Sequence, residues 1–419
     1  MASSSTYQAP RGMRDFYPED MDRRNFIFNA WTEAAREFGF SQYDASVVES
    51  LDLLKRKSGE EIVNQIYDFE DKSGRQLALR PEMTPTLARM IAAKQGGLVF
   101  PVKWFTIAQC FRYERMTKGR KREHYQWNLD VIGSESVSAE AELIACASSA
   151  LSKLGLDSNA VRIKFSSRAL LSELLESIGI PAEHHEPSFL ALDKRGKIDD
   201  TEITILLEES GVDTGTIDQV FSLLNIKSID DAANKLSSSP ALDSIENFLS
   251  ILKAYSLLDA VDFDISVVRG LTYYTGIVFE AFDAAGKFRA IFGGGRYDNL
   301  LSDVGGKPAS GVGLGFGDVV IDEVLNELNI EISTSDNSIT VGYMEDSQRH
   351  SAVKTASMLR QSGNNVELAL AAEKPKNFFK RADKSGFGKA LYIGPDDIEN
   401  GSARLKTLAN GEEELIPIP

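Results

Sequence analysis

The stretch VKWFTIAQCFRYERMTKGRKREHYQWNLDVIG, residues 102–133, reads as two β-strands joined by the basic loop MTKGRKR. Neighbouring side chains of a strand point to opposite faces. Arg112 and Glu114 therefore share a face of the first strand, and Gln126 and Asp130 share one of the second. Charges on a strand are most simply a solvated outer face. Two features of the flanking sequence argue for a shared interior floor instead. RPEMT, residues 80–84, ends another strand with a carboxylate and a hydroxyl, and GGGRYD, residues 293–298, sets glycines beside an arginine and a tyrosine.

Outward from this hairpin the same kind of unit recurs. Ile27, Trp31, Ala34 and Phe38 stand at helical spacing and predict an amphipathic helix over 22–38. IYDFEDKSGRQLALR, residues 66–80, turns at DKSG and predicts a second hairpin. TPTLARMIAAK, residues 84–94, is helical, with Pro85 tolerated in the first turn. VVRGLTYYTGIVFE, residues 267–280, reads as a strand, followed by a turn at DAAGK, residues 283–287. Antiparallel pairs with helices between them predict an α+β domain on an antiparallel sheet, residues 1–330. Between about residues 168 and 255 the pattern is helix after helix, an all-helical insertion into that domain. A polar linker, residues 331–338, precedes a segment 339–419 whose strands and helices alternate, which predicts a small α/β domain.

Composition excludes several classes. With 419 residues, 42% hydrophobic and 26% charged, the chain has the make-up of an ordinary globular protein of two or three domains. No run approaches a membrane span, and MASSSTYQAPRG lacks the apolar centre of a secretory signal. A cytoplasmic location is expected; the serine-rich opening as the remnant of an organellar transit peptide is the alternative. Two cysteines and four scattered histidines do not make a zinc site, so no metal is expected on protein ligands of those types. A net charge of −16 argues against nucleic acid only if it is evenly spread. It is not: residues 337–419 hold 11 basic and 11 acidic side chains, leaving 35 and 51 in the first 336. Local basic stretches such as KGRKR, residues 118–122, remain able to meet phosphates.

The phosphate loop GxxxxGK[ST] is missing, and GVGLGFG, residues 311–317, spaces its glycines by two rather than as GxGxxG. Alternating glycines in a strand let a backbone or a ligand lie flat on it. Arg269, an isolated guanidinium among valines, needs an anion beside it, supplied by the protein or by a ligand.

FRYERMTKGRKREHYQWNLDVIG resembles motif 2 of class II aminoacyl-tRNA synthetases, and RGLTYYTGIVFE with GGGRYDNL resembles the signature blocks of the histidyl-tRNA synthetase family. The likeness extends over almost the whole chain. It implies a class II synthetase-like catalytic domain with a helical insertion, an anticodon-binding-like C-terminal domain, a homodimer, and the substrates L-histidine, ATP and histidine tRNA. By the same resemblance Arg269 is the catalytic arginine, at the α-phosphate of ATP and the carboxylate of histidine, with Arg112 on the other side of that phosphate. Glu114 contacts the adenine amino group. Glu82 and Thr84 hold the α-amino group, Gln126 lies near the carboxylate, Tyr273 and Tyr274 line the imidazole pocket, Asp130 accepts a hydrogen bond there, and Tyr297 closes it. Mg²⁺ is expected to arrive with ATP rather than in a protein cage.

The chain also departs from the family pattern. Ser46 stands where motif 1 usually has proline, Asp318 where motif 3 usually has arginine, and Asp130 where a glutamate is expected. His124, with Tyr125 beside it, takes the place of the aromatic that stacks on adenine. Asp318 begins a helical pattern and is read as its N-cap; a ligand for the nucleotide is the other reading. A catalytically silent alternative stays open, the synthetase-like regulatory subunit of ATP phosphoribosyltransferase, which lacks the C-terminal domain.

Overall fold

The computed structural model describes residues 7–57, 63–195, 198–236, 238–268, 274–330 and 338–419. Arg269, Tyr273 and the linker residues 331–337 lie outside the described residues. The chain divides into two compact units, Met1–Ile330 and Glu331–Pro419.

The strands of the first unit are β1 (Ser41–Gln42), β2 (Val48–Ser50), β3 (Tyr67–Glu70), β4 (Gln76–Leu79), β5 (Val102–Phe111), β6 (Glu123–Ile132), β7 (Val161–Ser167), β8 (Val261–Phe263), β9 (Ile277–Asp283), β10 (Phe292–Tyr297) and β11 (Gly311–Gly317). Eight of them form one sheet in the order β1-β5-β6-β11-β10-β9-β7-β8. Its pairs are antiparallel except at the two edges, where β1 lies parallel to β5 and β8 parallel to β7. The remaining three make a small sheet, β2-β4-β3. The α+β class read from the sequence is therefore the fold.

One face of the large sheet is the core. Phe105, Trp127, Leu129, Leu314 and Phe316 pack there with Trp31, Ala34 and Ala35 of the helix Pro18–Glu37 and with the helix Ser138–Lys153. The Trp31 and Trp127 rings stack with centroids 5.8 Å apart. Trp31 and Ala34 are two of the four positions whose spacing predicted the helix.

The helices between Arg168 and Ala254 extend this core through Leu174, Leu207, Val220 and Phe248. Five of them are started by a side chain that accepts a first-turn N–H: Ser167, Asp199, Asp213, Ser228 and Ser239. Each such cap is worth about 1 kcal/mol.

Among the described residues of the stretch 267–280, those from Ile277 onward are strand. Tyr274 and Gly276, read as part of that strand, precede it. β5 likewise ends at Phe111, which puts Arg112 and Glu114 in the loop rather than on the strand. Arg112 N–H still donates to the Arg122 carbonyl, so the ladder is carried one residue further.

The second unit holds β12 (Ser338–Tyr343), β13 (Asn365–Leu368), β14 (Lys389–Ile393), β15 (Ser402–Thr407) and β16 (Glu413–Pro417), in the order β13-β12-β14-β15-β16. β12 is parallel to both its neighbours, as crossover helices require, and the last two strands are antiparallel.

Candidate active site

Cross-strand register sets alternate residues of neighbouring strands on the face of the large sheet opposite the core. On β6 these are His124, Gln126, Asn128 and Asp130, facing Cys110, Ala108, Thr106 and Trp104 of β5. On the other side of β6 come Gly317, Gly315 and Gly313 of β11. Gly293, Gly295 and Tyr297 of β10 and Glu280 of β9 continue the row. From His124 to Asp130 the floor runs roughly 20 Å, at about 3.4 Å per residue.

The β11 glycines have a local cause. A Cβ on Gly313 would come within 2.5 Å of Asp130 Oδ1, and one on Gly315 would fall on the Gln126 amide nitrogen. Side chains of β6 lie flat over β11, which replaces the reading in which a backbone or ligand does so. The Tyr297 ring lies over Gly311 and Gly313 in the same way.

At one end of the floor the Tyr297 hydroxyl donates to Asp130 Oδ1 at 2.6 Å. Tyr274 is buried close to Gly295 and packs in one cluster with Tyr297. Asp130 is buried so thoroughly that loss of hydration pushes its carboxyl up to about 7, against the opposing hydrogen bond from Tyr297. Its Oδ2 has no hydrogen-bond partner among the described residues, and neither do Gln126 Oε1, Asn128 Oδ1 and the Tyr43 hydroxyl. Four buried polar oxygens left over on or beside one floor are costly.

Over the β5 side of this floor runs the RPEMT segment. Met83 packs against Ala108 and Cys110, which places buried Glu82 beside the floor. Thr84 begins the helix Thr84–Lys94, with Pro85 in its first turn. The Arg112 Nε donates to the Pro81 carbonyl at 2.9 Å, so the arginine is braced by the segment that carries Glu82.

At the other end opens a cleft of about 270 Å³. Arg112, Glu114, Arg120, His124, Gln126 and Glu280 are among its lining residues, with Gly293, Gly315 and Gly317 as floor. Glu114 is ion-paired with Arg120 at 2.9 Å. Burial, with the positive charges of Arg112 and Arg14, drives the His124 imidazole down to about 3, so it presents an uncharged ring.

Asp318 is not a cap. Gly317 holds the N-cap position and Asp318 is the first helical residue. Its carboxylate accepts the Tyr125 N–H at 2.8 Å and the Arg14 guanidinium at 2.9 Å. Arg14 also holds Glu123 at 2.5 Å. Burial outweighs that guanidinium and raises the Asp318 carboxyl to about 6.

The register brings Gln126, Asp130 and Tyr297 onto one face, with Tyr274, Glu82, Arg112 and Glu114 beside it. Sequence reading missed Asn128 and Tyr43. Asn128 was legible in principle, being two residues from both Gln126 and Asp130; nothing around Tyr43 marked it.

A largely antiparallel sheet whose polar face carries an arginine-braced cleft is the catalytic fold of class II aminoacyl-tRNA synthetases. The family model described as histidyl-tRNA synthetase matches residues 12–317, and that described as anticodon binding domain matches residues 325–419. The chain is 42% identical over 98% of its length to the chloroplastic/mitochondrial histidine–tRNA ligase of Arabidopsis thaliana, of which it covers 85%. It is 38% identical to the histidine–tRNA ligase of Opitutus terrae, over 99% of this chain and 96% of that one. In fold it resembles the crystal structure of histidyl-tRNA synthetase from Nostoc sp. PCC 7120, with a TM-score of 0.82 at 23% identity, covering 99% of this chain and 97% of that one. The chain belongs to the histidyl-tRNA synthetase family.

Proposed function

We propose that the chain activates L-histidine with ATP and transfers the histidyl group to the 3′ end of histidine tRNA. The observation that carries this reading is the floor itself. Asp130 and Tyr297 form a buried polar end suited to an imidazole, Gln126 and Asn128 offer acceptors in the middle, and the Arg112 cleft stands at the far end for a nucleotide.

In the first step a histidine carboxylate oxygen attacks the α-phosphorus and pyrophosphate leaves. Arg112 and Arg269 stabilise the charge gathering on that phosphorus, since fixed guanidinium groups need no reorganisation as the reaction proceeds. Glu82 and Thr84 hold the α-ammonium, and Gln126 orients the carboxylate. Tyr273, Tyr274, Asp130 and Tyr297 enclose the imidazole. Glu114 accepts from the adenine amino group, and the neutral His124 ring offers the base a flat surface. In the second step a hydroxyl of the terminal tRNA adenosine attacks the activated carbonyl and AMP leaves.

Mg²⁺ fits this cleft. It needs only one or two protein carboxylates besides phosphate and water, and Glu280, which lines the cleft, would supply one. Bound there, it neutralises triphosphate charge. The second unit reads the anticodon, and the protein works as a homodimer in the cytoplasm. No helix among the described residues is long and apolar enough to cross a membrane.

The test is amino-acid-dependent exchange between ATP and pyrophosphate, run with all twenty amino acids. Exchange with histidine alone is expected. Exchange with none returns the silent regulatory reading, and exchange with another amino acid moves the specificity.

A further inference from the structure

β7 ends at Ser167, and Arg168 is the first residue of the helix Arg168–Ser177, which opens the helical insertion. Arg168 is only 4% exposed. A positive charge is disfavoured there twice. Burial strips its water, and the start of a helix already carries the positive end of the helix dipole. An apolar side chain would serve the helix better, and the hydrogen bonds of Arg168 show what the arginine serves instead.

Arg168 Nε donates to the Val268 carbonyl at 3.3 Å, and Nη1 donates to the Tyr274 carbonyl at 3.1 Å. One planar guanidinium thus joins two carbonyls that stand on either side of residues 269–273. The Arg168 backbone N–H donates to the Gly276 carbonyl at 3.0 Å, which carries the β7–β9 ladder past its last pair, Ser167 and Ile277. The guanidinium also lies over the Phe189 ring, 5.1 Å from its centroid, and so rests on the insertion helix His185–Leu192.

The two flanks of residues 269–273 are anchored differently. Beyond Tyr274, the Thr275 N–H donates to the Arg296 carbonyl at 2.8 Å and its hydroxyl to Asp298 at 2.6 Å, which ties this flank to the end of β10. On the other side the N–H groups of Val267 and Val268 bond within their own turn, to the Asp264 and Ser266 carbonyls. Arg168 links the flank with local bonds to the flank tied to β10. The Val268 carbonyl it holds belongs to the peptide unit whose nitrogen is that of Arg269.

We propose that Arg168 is a positioning residue for Arg269, its guanidinium fixing the peptide unit from which Arg269 departs. The inference rests on the reading of Arg269 at the α-phosphate given above and adds the residue that aims it. A guanidinium stabilises a transition state best when it is already in place, because nothing then has to reorganise as charge develops. The insertion thus begins with a residue that serves the reaction centre.

The experiment measures ATP and pyrophosphate exchange with histidine in Arg168→Met, Arg269→Ala and the double variant. Arg168→Met is expected to lower kcat by about 10²-fold, the cost of a shift of about 1 Å at reacting groups. The KM values for ATP and histidine should hold, as they do when an interaction confined to the transition state is lost. In the Arg269→Ala background the same substitution should cost little more, because residues that act as one unit are not additive. Ser167→Ala removes the neighbouring cap and destabilises the same helix, yet it leaves the guanidinium and should keep kcat. Should Arg168→Met not fold, Arg168→Lys, which keeps the charge and loses the planar fork, carries the same cycle. Losses that multiply in the double variant, a near-native kcat without the guanidinium, or an equal loss in Ser167→Ala each overturn the inference while native exchange with histidine stands. Native protein that fails to exchange with histidine overturns the histidine reading and this inference together.

Discussion

Asp130 sits where its own charge is disfavoured. Its folded pKa of about 7 lies above the ordinary 3.8, so between those values the folded state binds a proton that the unfolded state releases. The stability this group contributes is complete below about pH 4 and is lost as pH rises through 7. Asp130→Asn removes the charge while keeping the shape. The variant is therefore expected to melt above the native protein at pH 8, with the gap narrowing towards pH 5, and to lose most histidine-dependent exchange at both. Melting curves at the two pH values check the sign; a gap that widens on acidification contradicts it. Asp318 shows what a single residue conceals in sequence. Its place at the start of a helix suggested a cap, yet its carboxylate faces Arg14 and the backbone of Tyr125. No local pattern links positions 14, 123 and 318, because the contact is made by strand order, which spacing does not encode.

At the scale of elements, β11 is the strand most constrained by its neighbours. Gly311, Gly313 and Gly315 are imposed from outside, by side chains of β6 and β10 that occupy the space of a Cβ, whereas Gly317 has open space around it. Gly315→Ala should displace the Gln126 amide, and a displacement of about 1 Å near reacting groups costs on the order of 10²-fold in rate. Exchange kinetics should register that loss while far-UV circular dichroism stays native; a rate within twofold of native shows that Gln126 has room to move. The strands themselves were legible, since residues 102–133 announce a hairpin and GVGLGFG alternates with period two. What could not be read was that β11 inserts between β6 and β10, so Gln126 and Asp130 were placed on a common face without the surface they lie against. The stretch 267–280 was read as one strand because its apolar residues outnumber the rest, while among its described residues strand geometry begins at Ile277.

For the whole molecule, the separation into units Met1–Ile330 and Glu331–Pro419 makes a specific division of labour testable. The floor and its cleft belong to the first unit alone. Residues 1–336 expressed by themselves are expected to keep histidine-dependent exchange and lose most transfer to tRNA; charging at the native rate gives the second unit another role. Within that unit the basic helix Pro375–Lys384 is less available than its sequence suggests. Arg381 is ion-paired with Glu367 at 3.0 Å and with Glu373 at 2.8 Å, which leaves Lys376, Lys380 and Lys384 as its exposed cations.

The order of strands in the large sheet also sets a clock. β6 ends at Ile132, and β11, its neighbour, is complete only at Gly317. At about 5–20 residues per second, a ribosome takes roughly 10–40 s to make the chain between them. For that interval β6 has an open edge, the kind of surface on which nascent chains pair with the wrong partner. The helices from Arg168 to Ala254 are made during the wait and fold on local contacts, which form faster than distant strand pairs. The active-site floor is therefore among the last parts of its unit to be assembled.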